Sequence, residues 1–326
     1  MMRTSQITIG SFSPIPGERP KAREHTTGAR WTQDGARARL CPPWPATPNP
    51  PRGRTVNATT LRLRDPDLEG PVAFLGGLYS NHPALRAVAA DACRRGAKHL
   101  FCLGDLGGFG PNPGKVYPIL DEYRIAIIAG NYDEALAKRL PDCGCGYTHP
   151  SDNFFAQLSY DYTNRRTTDE ERKRLLALPG SIRFTRGGRR FLLCHGSPRK
   201  VNEFLWESAC SDAFLMRLLR DAEAETVLCA HTGLHWQRTL PDGGLIVNAG
   251  AVGRPANDGV PSVWYALFDA GREGAEFIPV TYDSESLARE MEEEALPPEF
   301  IETIRTGWWT TCLEILPAKE RARGKF

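Results

Sequence analysis

Apolar positions along this chain follow two regimes, with the change near residue 60. Before it, Pro, Gly, Arg and Thr dominate and no hydrophobic period recurs, so residues 1–58 read as a disordered or loosely ordered basic arm. After it, short apolar runs alternate with amphipathic stretches. Residues 72–77 read as a buried strand. A helix is expected from His82 to Arg95, with Leu85, Val88, Ala89 and Ala92 on one face. Residues 99–105 form a second strand pattern, Pro111-Asn-Pro opens a helix near 113–123, residues 125–129 read as a third strand and 132–140 as a helix. This β-α-β-α-β order predicts parallel strands joined by right-handed crossovers.

Residues 141–180 resemble a helical insertion, with helices at 152–162 and 168–178; Thr167-Thr-Asp-Glu-Glu opens the second with a capping signature. Strand patterns then crowd together at 181–185, 190–195, 226–231, 236–240, 245–248, 262–268 and 276–282. Two amphipathic helices, near 201–209 and 212–222, interrupt them. A strand-dense second half after a β-α-β first half predicts two packed sheets with helices outside. The domain organisation is therefore an arm (1–58), a core domain (59–283) and a C-terminal extension (284–326). The extension is helical to about residue 307, and its aromatic stretch from Gly307 to Pro317 is expected to cover a sheet edge or a crevice.

Composition narrows the function classes. No apolar run approaches the ~18 residues of a bilayer span, and the first 30 residues lack the apolar segment of an export signal, so a cytoplasmic, non-membrane protein is expected. Net charge is +2, but residues 1–60 carry 9 Lys+Arg against 3 Asp+Glu, which leaves −4 for the rest. A mildly acidic body makes no strong case for nucleic acid. Nine cysteines, an odd count, argue against a disulfide framework. Cys93, Cys102, Cys194 and Cys229 read as buried thiols in helix or strand patterns. Cys143-Gly-Cys145 is a loop pair for which metal or redox use stays open. Oligomeric state is not legible.

Chemistry-bearing residues gather at strand ends. Asp105 ends one apolar run on a glycine-rich turn, Asn131 follows Ile128-Ala-Gly, His195 follows Phe191-Leu-Leu-Cys and His231 follows Val227-Leu-Cys-Ala. In open α/β sheets the ligand crevice lies at the carboxyl ends of the strands. One carboxylate, one amide oxygen and two imidazoles suit a borderline divalent ion such as Mn, Fe, Zn or Ni.

Leu103-Gly-Asp-Leu, Gly130-Asn131-Tyr-Asp133, Cys194-His195-Gly-Ser-Pro and Ala230-His231-Thr together resemble the motif series of the calcineurin-like metallophosphoesterases. The match runs over about residues 71–270, and 247–255 resembles the small bacterial branch. The resemblance implies a four-layer α-β-β-α sandwich of two mixed sheets and a two-metal site acting on phosphate esters. The departures are patterned. The family's opening Asp-x-His is here Gly77-Leu78-Tyr79, its Asn-His is Asn131-Tyr132, and its last Gly-His-x-His is Ala230-His231-Thr232-Gly233. Sorted by metal, the losses at 77, 79 and 233 fall on one ion, which keeps only the bridging Asp105. The other keeps Asp105, Asn131, His195 and His231, so one ion per chain is expected.

A cation or hydrogen-bond donor is then needed where the lost ion would sit. Arg254, Arg199 and Lys200 lie near the motifs, and Arg suits phosphate. Asn81 opens the first helix at a position this branch often fills with Asn. Tyr79 and Tyr132, in place of two histidines, are candidate proton or hydrogen-bond donors. His235 is a candidate substitute ligand. The leading expectation is a metal-dependent hydrolase of a small phosphomonoester or phosphodiester. A second reading is an inactive relative that binds a phosphorylated ligand; a third, prompted by Tyr79 and the cysteines, is a repurposed iron centre with other chemistry.

Overall fold

The computed structural model describes residues 60–62, 68–269 and 273–324; the arm expected at 1–58 lies outside the described residues. The central strands are short runs, most of them apolar on both faces, and each face meets a different layer. In β2 (Val72–Leu75), Val72 and Phe74 point between the two sheets while Ala73 and Leu75 point at helices. The same division recurs in β3 (His99–Cys102), β6 (Arg189–Leu193), β7 (Thr226–Cys229) and β9 (Leu245–Ala249). Double-sided burial is what makes these runs read as continuous rather than alternating hydrophobics.

Two sheets result. The five-stranded one has the order β11-β10-β2-β3-β4, with β4 at Ala126–Ile127, β10 at Val263–Phe268 and β11 at Glu276–Val280. Its β2, β3 and β4 are parallel as the crossover pattern requires, and β10 runs antiparallel to β2. The six-stranded one has the order β1-β5-β6-β7-β9-β8, with β1 at Thr60–Arg62, β5 at Ser181–Arg186 and β8 at His235–Thr239. Both are mixed, and they face each other across a phenylalanine stack: Phe74–Phe101 at 5.5 Å, Phe101–Phe184 at 5.6 Å and Phe184–Phe191 at 5.0 Å between centroids. Helices α1 (His82–Arg94), α2 (Val116–Glu122) and α3 (Asn131–Lys138) pack outside the first sheet, and α6 (Asp212–Asp221) outside the second. The four-layer α-β-β-α sandwich is the observed fold.

The insertion folds as α4 (Pro150–Arg166) and α5 (Asp169–Leu176), the latter started by the Thr168/Glu171 capping box. The C-terminal extension forms α7 (Ser284–Glu293), α8 (Pro298–Thr306) and α9 (Ala318–Arg321). Two local expectations change. Residues 201–209 make turns, not a helix, because Leu205 is buried against α6 while its neighbour Trp206 is buried with Trp309 in a separate cluster. Strand β1 was not announced by the pattern; it is held at the sheet edge by parallel pairing with Ser181–Arg183.

Candidate metal centre

The site lies where β3, β6 and β7 give way to loops. Beyond Cys102 the chain turns through Gly104 (φ 92°) into Asp105, a non-glycine residue at φ 55°; His231 (φ 64°) and Tyr79 (φ 47°) share this uncommon conformation. Strain of this sort persists only where surroundings enforce it, and here they do. The buried Asp133 carboxylate accepts N–H bonds from Asp105 (2.7 Å), Leu106 (3.0 Å) and Gly130 (2.9 Å). It fastens the Asp105 turn to the start of α3, which carries Asn131. The loops approach so closely that a Cβ on Gly104 would strike the Gly130 backbone, and one on Gly130 would strike Asp105. Sequence reading quoted Asp133 in the motif but gave it no role.

Asp105, His195 and His231 place a carboxylate oxygen and two ring nitrogens within 4.8 Å of one another. His195 Nδ1 donates to Leu103 O at 2.5 Å, which leaves Nε2 facing Asp105 Oδ2 at 3.2 Å and His231 Nδ1 at 3.2 Å. His231 Nε2 donates to Cys145 O at 3.2 Å, so its Nδ1 also carries a lone pair inward. With both imidazoles neutral, the tautomers assigned from these carbonyl partners turn three acceptors on one point, an arrangement that either a proton on His195 Nε2 or a bound cation satisfies. Asn131 adds a fourth. Its Nδ2 donates to Cys143 O at 2.9 Å, while its buried Oδ1 has no hydrogen-bond partner. An orphaned amide oxygen beside three convergent acceptors fits the oxygen and imidazole ligand set of a divalent ion.

The charges agree. Burial pushes the Asp105 carboxyl up, but the two imidazoles and the Tyr132 N–H outweigh it and hold the group below its usual range. His195 is pushed down by burial and then above its ordinary value by Asp105. His231, buried beside His195, is held down to about 3 and stays neutral.

At the positions where the resemblance implied further ligands, other side chains occupy the space. The Tyr79 ring lies across Gly77, whose Cβ would come within 2.5 Å of it. Arg254 Nη2 and Trp309 lie 3.2 Å and 3.1 Å from where a Gly233 Cβ would be. The Arg254 guanidinium sits 3.4 Å from the Trp309 ring centroid and is 8% exposed. Its Nε is unbonded, and no carboxylate pairs with it among the described residues. Tyr79, Asp105, Tyr132, His231 and Arg254 line one cavity of about 60 Å³, with Phe109, Phe155 and Phe300 as its apolar wall. Thr311 and Cys312 of the C-terminal stretch complete the wall. That stretch is tied down by the buried Asp152, which accepts from Ile315 N at 2.8 Å and Glu314 N at 3.3 Å. The aromatic extension thus covers a crevice.

Not every expected residue arrives. Asn81 serves as the cap of α1: its Oδ1 accepts from Ala84 N at 3.0 Å and its Nδ2 donates to Gly253 O at 3.1 Å, and the side chain is fully buried and does not line the cavity. Arg199 is exposed, paired with Glu203 and laid over Phe214; the turn after His195 carries it away from the cavity. His235 packs between Trp264 and Phe277. Tyr132 lines the cavity with its hydroxyl 2.9 Å from Ser159 Oγ. Tyr147, in the lid-like insertion at 141–165, lines the cavity, and so does Ser159, which no sequence motif announces because α4 brings it in from the insertion. Cys143 and Cys145 are joined by a disulfide.

Sandwich and site together define a metallophosphoesterase. Residues 78–272 match the calcineurin-like phosphoesterase superfamily domain, and the chain belongs to that family. Its relatives include an uncharacterized protein of Methanocaldococcus jannaschii, 26% identical over 253 residues that cover 72% of this chain and 98% of the relative. Among solved structures, a hypothetical protein from Pyrococcus horikoshii OT3 superposes with a TM-score of 0.62 at 23% identity, covering 74% of this chain and 99% of the other. A metallophosphoesterase from Sphaerobacter thermophilus gives 0.56 at 24% identity over 73% and 99%. These two likenesses establish the fold. Family membership supports a hydrolase of the metallophosphoesterase type that acts on phosphorylated substrates. No helix among the described residues is long and apolar enough to cross a membrane.

Proposed function

We propose that the chain hydrolyses a small phosphomonoester or phosphodiester with a single divalent ion held by Asp105, Asn131, His195 and His231. The observation that carries this reading is Arg254, a buried guanidinium without a carboxylate partner, in the same cavity as the convergent acceptors. Leaving a charge unpaired in a largely buried site is costly, and a phosphoryl anion is the partner that removes the cost. A divalent ion bound by the four ligands supplies Lewis acidity and an activated water nucleophile at neutral pH.

The chain's own residues supply the rest. Arg254, fixed against Trp309, presents donors in a rigid fork to the phosphoryl oxygens where a second ion sits in two-metal relatives. Burial holds the Tyr79 and Tyr132 phenols far above their usual range, so both stay protonated. Each can donate a hydrogen bond, and Tyr132, paired with Ser159, is the candidate to protonate the leaving oxygen. Phe109, Phe155 and Phe300 exclude water and favour a compact group on the ester. With Arg254 as the one cation lining the cavity among the described residues, a single phosphate suits it better than a polyphosphate.

The test is metal content per chain, together with hydrolysis of p-nitrophenyl phosphate and its bis-ester under added Mn, Fe, Ni or Zn. One ion per chain is expected, with activity lost in Asp105→Asn and His195→Ala. Full activity in both variants refutes the proposal. Tight binding of inorganic phosphate without turnover favours the inactive ligand-binding relative instead.

A further inference from the structure

The Cys143-Gly144-Cys145 loop belongs to no ligand set, yet its backbone touches two of the four ligands. Cys143 O accepts from Asn131 Nδ2 at 2.9 Å, and Cys145 O accepts from His231 Nε2 at 3.2 Å. The third carbonyl, Gly144 O, accepts from Asn202 Nδ2 at 2.6 Å. The first two bonds decide that Asn131 turns its oxygen, and His231 its Nδ1, toward the metal position. Residues 143–148 have no regular structure of their own; these carbonyls are held by the hydrogen bonds above, by Gly144 N donating to Asp142 Oδ1 at 2.8 Å, by core packing of the two cysteines, and by the Cys143–Cys145 disulfide that spans them, whose Cys145 sulfur also accepts from Asn131 Nδ2 at 3.4 Å.

We propose that this disulfide is a positioning element for the metal centre, and that its reduction weakens metal binding by freeing the two carbonyls that orient Asn131 and His231. The proposal rests on the four-ligand reading above. In the reductive step a dithiol becomes a disulfide while the Cys143–Cys145 bond takes up two electrons and two protons to give two thiols; reoxidation by a disulfide or peroxide reverses it. Cys143 is buried, while Gly144 and Cys145 are half-buried, so the bridge is approached from the Cys145 side. The connection to function is direct, since partners behind metal ligands set ligand orientation and affinity.

The experiment titrates full-length protein with Mn2+, a hard ion indifferent to thiols, and follows free Mn2+ by electron paramagnetic resonance. The oxidised protein is compared with protein reduced by a phosphine and desalted without oxygen. Thiol titration under denaturing conditions verifies that reduction exposes two further thiols. Reduction is expected to raise the Mn2+ dissociation constant roughly 10- to 100-fold, reoxidation to restore it, and C143S/C145S to match the reduced protein with or without phosphine. Equal affinity in both states, or tighter binding after reduction, overturns the proposal and leaves the four-ligand reading standing. Absence of Mn2+ binding in either state removes that reading and the proposal with it.

Discussion

Replacing Arg254 with methionine separates a functional charge from a structural one. The side chain is buried, its Nε makes no hydrogen bond, and its closest ring contact is Trp309, with Tyr79 and Phe109 each 6.0 Å away. A desolvated cation–π contact returns about 2 kcal/mol, whereas burying an ion without a charged partner costs several kcal/mol even after relaxation. Methionine keeps most of the stem and removes the charge. The balance predicts that Arg254→Met leaves stability unchanged or raises it by about 1–2 kcal/mol, a gain of about 2–6 °C in melting temperature for a domain of this size. Activity should move the other way. Loss of one preorganised donor to developing oxyanion charge lowers the rate by about 10²- to 10³-fold. Calorimetry and p-nitrophenyl phosphate hydrolysis on the same preparation read both quantities, and Arg254→Lys, which keeps charge but not the planar fork, should fall between. If stability and activity drop together by comparable free energies, Arg254 is a packing residue and the argument fails; undiminished activity refutes it equally.

Other outcomes follow from the same geometry. Because Asp105 holds the His195 pKa above its ordinary 6.5, proton and metal compete for Nε2; metal affinity should be full well above that raised value and fall about tenfold per unit as pH drops through it, which isothermal titration across buffers would show. Asp133→Ala strips the acceptor from three buried N–H groups; at about 1–3 kcal/mol for each orphaned group, a loss of at least about 3 kcal/mol is expected in urea unfolding, and a loss under about 1 kcal/mol would refute the fastening role. Asp152→Ala frees Glu314 N and Ile315 N; it should cost about 1–3 kcal/mol locally, seen as lost hydrogen-exchange protection and easier proteolysis near 310–316, while β2 and β3 stay protected.

Much of this was written in the linear chain. Apolar runs long enough for a strand and too short for a helix, separated by amphipathic stretches, specify a layered α/β fold, because double-sided burial suits central strands alone. Asp105, Asn131, His195 and His231 were legible for the same reason: polar residues at the ends of such runs land on one sheet edge. The departures from the family's motifs at Gly77, Tyr79 and Gly233 are read in the sequence too, since they stand at fixed offsets from those ends. Tertiary structure alone decided what fills the space they leave. Trp309 reaches Arg254 from more than fifty residues along the chain, and nothing local distinguishes Arg254, buried and unpaired, from Arg199, exposed and paired with Glu203. Asn81 has the composition of an anion contact, but it is buried as a helix cap bonded to Ala84 and Gly253 and stays out of the cavity. Tautomers, orphaned oxygens and carbonyl partners depend on distances of about 3 Å between segments far apart in sequence. A chain states which chemistry it carries; which way each donor points is fixed when the loops close on one another.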